Sequence, residues 1–132
     1  MKSSFKPVLP KHEMTKKEFG IWGEQVAVQL LIQEGMKIIG KNVRNQSGEI
    51  DIIGRKNGVV IFFEIKTRRS TQYGNPEDAV NKKKQEHIKN SAIEYIQSNL
   101  DMDIEWRIDV ISIQVDWKNN IAIRWFENAI SG

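Results

Sequence analysis

The 132 residues predict an α/β domain built around a mixed five-stranded sheet. Three observations carry that prediction. Two β-branched and aromatic runs, residues 50–53 and 59–63, flank Asn57-Gly58. Asn-Gly is the strongest short hairpin signal, because a type I′ turn needs φ > 0 at both central residues. Two windows of helical apolar spacing follow capping residues, Thr15 and Asn81. A strand, a helix of that length and another strand require a crossover, so the fourth strand should run parallel to the third.

Residues 1–15 hold two prolines, two serines and several lysines without apolar period, and are expected to form a flexible basic tail ahead of a domain at 16–132. Lys2, Lys6, Lys11, Lys16 and Lys17 could touch a phosphate backbone or simply be solvated. Thr15 can cap a helix running to about Glu34, with Glu18 at the capping-box position and Gly35 ending it. Glu24 falls inside the apolar arc of that helix, with Ala27 and Leu31 on one flank and Ile21 and Val28 on the other. A carboxylate there either faces a functional cluster or reaches solvent near the helix start.

Residues 36–44 read as the first strand, with Gly40 marking a bulge, and 45–48 as a tight connection into the hairpin. A two-residue loop at Asn57-Gly58 fixes the hairpin register. Ile53 faces Phe62, Asp51 faces Glu64 and Glu49 faces Lys66, and strict alternation puts all four charged side chains on one face. The strand carrying Glu64 is apolar on both faces, which reads as a central, covered strand. Opposed carboxylates destabilise a sheet unless a proton, a cation or a metal joins them. A small set of hard oxygen ligands suits Mg²⁺ or Mn²⁺, and Lys66 could orient a water or hold a phosphate. The competing reading is a salt-bridge ladder of Glu49 with Lys66, leaving Asp51 and Glu64 near solvent.

Residues 67–74 form a polar loop from which Arg68 and Arg69 can reach phosphates and Tyr73 can stack on a base, unless the loop is merely solvated. Asn75-Pro76-Glu77-Asp78 has the form of a helix start, and Asn81 offers a second, so a short turn can precede the main helix. That helix runs to about Asn99. Ile88, Ala92, Tyr95 and Ile96 make its buried stripe, which reaches back to Lys84. Lys82, Lys83 and Lys84 crowd the helix N-terminus, against the macrodipole and in favour of an anion. Lys82 and Lys83 fit a solvated face; Lys84, on the stripe, is the site candidate. Residues 105–116 and 121–126 supply strands four and five, and Arg107 with Asp109 forms a structural pair.

Composition bounds the chemistry. Without cysteine there are no disulfides, zinc-thiolate sites or thiol nucleophiles, and a cytoplasmic location is compatible. No apolar run reaches the ~18–20 residues of a membrane span, and none resembles a signal-peptide core. A net charge of +3 permits a nucleic-acid partner without demanding one.

Helix, three-stranded antiparallel meander, crossover helix and two strands is the core order of the restriction-endonuclease-like fold. An acid on the second strand and (Asp/Glu)-x-Lys on the third match its nuclease signature as Asp51 and Glu64-Ile65-Lys66. More closely, the chain resembles the YraN family of small bacterial proteins related to archaeal Holliday junction resolvases. The resemblance rests on Gly23-Glu24 with Ala27, Asn42, Arg44, Gly48-Glu49-Ile50-Asp51-Ile52-Ile53, Phe63-Glu64-Ile65-Lys66-Thr67-Arg68, Gly74-Asn75-Pro76, Lys84-Gln85 and Arg107-Ile108-Asp109-Val110. It implies a Mg²⁺- or Mn²⁺-dependent nuclease acting on DNA more than RNA, with branched or structured DNA as its candidate class and a homodimer as its candidate assembly. Asp51, Glu64 and the Ile65 carbonyl would be metal ligands, Lys66 would position or activate water, Glu24 would be the helix acid, and Lys84 or Gln85 would face substrate. Ile50 stands where the superfamily often has proline, and Val43 where the family often has an aromatic residue. The alternatives are a non-catalytic nucleic-acid-binding module of the same fold and a protein-interaction domain.

Overall fold

The computed structural model describes residues 5–69 and 81–131. Its elements follow the expected order: α1 (Lys16–Gln33), β1 (Lys37–Asn45), β2 (Gly48–Lys56), β3 (Val59–Arg69), α2 (Lys82–Asn99), β4 (Glu105–Val115) and β5 (Ile121–Phe126). The sheet order is β1-β2-β3-β4-β5. All neighbours are antiparallel except β3 and β4, which are parallel, as a crossover through α2 requires. This is the order and strand sense of the restriction-endonuclease-like core.

Local chemistry accounts for each boundary. Thr15 and Glu18 close a reciprocal capping box at the start of α1, and Gly35 leaves its end at φ 88°. Asn57 and Gly58 take φ of 52° and 79°, the type I′ pattern their sequence favours. The register of β1 on β2 shifts between Ile38 and Gly40, which makes the expected bulge. Asn81 caps α2 by accepting the Lys84 amide at 2.8 Å. The helix-start signature at residues 75–78, with Tyr73 and the short turn expected there, lies outside the described residues.

Alternation along β3 sends Ile61 and Phe63 into a core under α1, and Val60 and Phe62 into a second core under α2. The parallel pairing sets β4 beside every residue of β3, and β2 pairs with its other edge from Val59 to Phe63, so that half of β3 is covered on both faces and both edges. The β1–β2 turn is fastened to α2. Asn45 donates to the Ser91 carbonyl, and the Glu94 carboxylate accepts from the Gln46 amide and the Ser47 hydroxyl. Gly48, at φ 151°, has room for no Cβ against the Ser91 hydroxyl, so its place in the motif is structural.

Residues 5–14 differ from the loose tail expected of them. Pro10 is buried, and Phe5 and Met14 pack on the α1 core. The Trp22 indole donates to the Val8 carbonyl at 2.8 Å, and the Asn119 and Arg69 side chains donate to the carbonyls of Pro10 and Lys11. Among the described residues no helix is long and apolar enough to cross a membrane.

Candidate active site

The site lies where β2 and β3 separate. Their ladder follows the turn-dictated register from Lys56↔Val59 to Ile52↔Phe63 and stops there. Alternation predicts continued pairing, Asp51 against Glu64 and Glu49 against Lys66. Instead, Asp51 Oδ2 accepts the Ile65 amide at 2.8 Å, so a carboxylate replaces the next ladder bond. The cause is on β1. Between the pairs Lys41↔Ile52 and Val43↔Ile50, Asn42 adopts φ 50°, a left-handed conformation that asparagine tolerates better than most residues. The ribbon turns over at that point, and Ile50 and Ile52, two residues apart, enter opposite cores. The four charged residues therefore do not form one regular row. Glu49 pairs with Arg44 across β1, at 3.6 Å, instead of extending it.

The separation leaves a group of acids, one buried and the others half-buried or exposed, close to one another. Glu64 is only 6% exposed, and its Oε1 lies 2.9 Å from Lys84 Nζ. Asp51 is pushed up to about 7. Burial is the main cause, the Glu64 charge adds to it, the Ile65 amide opposes it, and Glu24 and Glu49 contribute further. Glu24 is also raised, first by burial and then by Glu49, with a hydrogen bond from Asn42 opposing. Glu24 stands at the margin of the buried α1 face rather than in its middle, since Ile21 is 47% exposed. Sequence reasoning gave Asn42 no role beyond family resemblance. A polar residue tolerant of positive φ, placed across the ribbon from Asp51, was the signal for it.

Gly23 sets how closely α1 approaches. A Cβ there would overlap the Thr67 hydroxyl and its methyl carbon on β3. Within a helix, glycine to alanine ordinarily stabilises by roughly 0.5–1 kcal/mol. Gly23→Ala is expected to do the reverse, destabilising by about 1–3 kcal/mol through overpacking, as read from the denaturant midpoint. A more stable Gly23→Ala protein would show that this contact does not hold the helix.

Glu24, Asp51, Glu64 and Lys84 line one open groove of about 800 Å³, together with Arg68 and Arg69. Arg69 lies over the Phe19 ring, 4.7 Å from its centroid, and Arg68 donates to the Thr67 carbonyl. Lys66 is buried at 6% exposure and, with Gln85, lines an adjoining groove of about 680 Å³ that also includes Ser112 and Arg124. The sequence-predicted residues thus divide between two neighbouring grooves. Among the described residues, no group of three or more His, Asp and Glu side chains is set to hold a metal ion. The available donor set is two carboxylates, Asp51 on β2 and Glu64 on β3, with the backbone of Ile65 beside Glu64. It fits a hard divalent cation such as Mg²⁺, which takes one or two carboxylates and keeps several waters.

The chain is 43% identical to a UPF0102 protein of Caldicellulosiruptor bescii over 110 residues, covering 83% of this chain and 92% of that protein. It is 41% identical over 100 residues to a UPF0102 protein of Syntrophomonas wolfei, covering 76% and 87% of the two chains. Among solved structures, that of Pyrococcus furiosus SfsA in complex with Ca²⁺ aligns with a TM-score of 0.43 and 15% identity; it covers 88% of this chain, which spans 65% of that one. A profile of Uncharacterised protein family UPF0102 matches residues 23–113, from the glycine under Thr67 to near the end of β4, and the chain belongs to that family.

Proposed function

We propose that this protein is a metal-dependent nuclease that hydrolyses phosphodiester bonds in DNA, with branched or structured DNA as its candidate substrate. One observation carries the reading. Asp51 and Glu64 face a groove whose lining also holds Arg68, Arg69 and Lys84, so acids able to bind a divalent cation adjoin cations able to bind phosphate. Asp51, Glu64 and the Ile65 carbonyl would hold Mg²⁺ or Mn²⁺. When bound, the ion supplies Lewis acidity and lowers the pKa of a coordinated water. Lys66 would orient or activate the attacking water, and Gln85 would contact substrate beside it. Arg68, Arg69 and Lys84 would neutralise the phosphate backbone, and Tyr73 would stack on a base. Glu24 would bias the water and cation around Asp51. A homodimer would let the protein cut two strands.

A second reading, a non-catalytic nucleic-acid-binding module, is favoured by the Lys84–Glu64 pair, which neutralises one acid without a metal. Both readings are tested on labelled single-stranded, duplex, flap and four-way-junction DNA and a structured RNA, each with Mg²⁺, Mn²⁺ or EDTA. The nuclease reading expects EDTA to abolish cleavage and Lys66→Ala to slow it by roughly 10²–10⁴-fold. Salt-dependent binding without cleavage, indifferent to EDTA, would select the binding module.

A further inference from the structure

We infer that Lys84 is an exchangeable counter-ion: it neutralises Glu64 in the free protein, yields that carboxylate to the divalent cation, and turns to the substrate phosphate. The inference rests on the nuclease reading and deepens it.

The geometry of the pair is one-sided. Glu64 is fixed on the covered central strand with its side chain 7% exposed, whereas the Lys84 side chain is 48% exposed and 2.9 Å away. The carboxylate cannot leave, but the flexible lysine stem can. Lys84 also occupies the first turn of α2, where the helix dipole disfavours a cation and the described residues of that turn include no acid. Glu64 offsets that cost while the site holds no metal. A divalent cation on Glu64 would repel Lys84 at the distance where the lysine now sits. The ammonium then needs another anion, and it already lines the groove that contains Arg68 and Arg69. Metal and phosphate binding are thereby linked through one side chain. Metal binding releases the lysine, and the lysine contributes a phosphate contact only when metal is present.

The inference predicts effects of opposite sign from one substitution. Mn²⁺ is titrated calorimetrically, without DNA, into wild-type protein, Lys84→Gln, Lys84→Arg and Lys83→Gln. Lys83→Gln removes the same charge one residue away and controls for the general field. Lys84→Gln is expected to bind Mn²⁺ roughly three- to tenfold more tightly than wild type and than Lys83→Gln. Lys84→Arg, which keeps the competing cation, should stay close to wild type. In cleavage at saturating Mn²⁺, Lys84→Gln should be roughly tenfold slower, although its metal affinity is higher. Affinity no tighter than that of Lys83→Gln would overturn the exchange while leaving the metal site intact. Tighter binding with undiminished cleavage would overturn the transfer of Lys84 to phosphate. No Mn²⁺ binding by any of the four proteins would overturn the metal reading, and the exchange with it.

Discussion

Asp51→Asn is expected to make the protein more stable at pH 8 while abolishing metal-dependent cleavage. The Asp51 carboxyl titrates near 7 in the folded protein, against an ordinary value of 3.8. Below 3.8 the group is protonated in both folded and unfolded chains and contributes nothing. Between 3.8 and 7 the folded chain binds more protons, so stability falls as pH rises. Above 7 the whole destabilisation is present. A full pKa unit corresponds to about 1.36 kcal/mol, and discounting for the open groove leaves about 1–3 kcal/mol. Asparagine removes the charge but keeps an oxygen for the Ile65 amide, so the bond that replaces the ladder survives. The melting temperature should therefore exceed wild type at pH 8 by roughly 3–5 °C per kcal/mol, with the gap closing towards pH 4. Mn²⁺ should stabilise wild type at pH 8 and leave Asp51→Asn nearly unchanged, since a cation and the substitution relieve the same repulsion. A variant less stable than wild type at pH 8 would show that Asp51 is satisfied without a cation.

The parts of this molecule legible in the sequence are those set by local chemistry. Asn57-Gly58 specifies its turn through two positive φ angles, and the turn fixes the register as far as Ile52↔Phe63. Thr15 and Glu18, through two reciprocal bonds, and Asn81, through one, fix the helix starts. The reversal at Asp51 is not local to β2. It depends on the left-handed conformation of Asn42 on the neighbouring strand, and residues 50–53 alone read as an unbroken run. The Lys84–Glu64 contact joins residues twenty positions apart and exists only once α2 has packed against the sheet. The docking of residues 5–14 escaped periodicity because the segment is irregular. Pro10 and Val8 meet partners supplied by Asn119 and Trp22, and their own sequence does not signal them. The Glu24–Asp51–Glu64 association was visible as residue types, but the division of Lys66 and Glu64 between adjoining grooves was not.

Asp109→Ala should be strongly destabilising, costing about 2–4 kcal/mol and lowering the denaturant midpoint accordingly. Asp109 is fully buried, like no other acid among the described residues. Its Oδ1 accepts from Arg107 Nε at 3.0 Å and from the Asn128 amide at 2.7 Å. Its Oδ2 accepts from Arg107 Nη2 at 3.2 Å and from the Trp125 indole at 2.9 Å. Four donors converge on one carboxylate, so truncation removes four hydrogen bonds at once and leaves the half-buried Arg107 and Trp125 side chains without that acceptor. The bonds join β4 to β5 and to the turn after it, where Asn128 holds φ 51°. Asp109→Asn should fall between the two proteins, because its NH₂ must face donors on one side. Below its transition, Asp109→Ala should still bind Mn²⁺ with near wild-type affinity. Loss of that affinity in the folded variant would place Asp109 in the site. Asp51, half-buried, and Asp109, fully buried, are both acids on the same sheet, and spacing does not tell them apart. Their neighbours do: Asp109 is surrounded by donors and holds the fold together, whereas Asp51 is surrounded by acids and burdens the fold at neutral pH. Opposite signs of stability change in the two variants would separate the structural carboxylate from the functional one before any substrate is known.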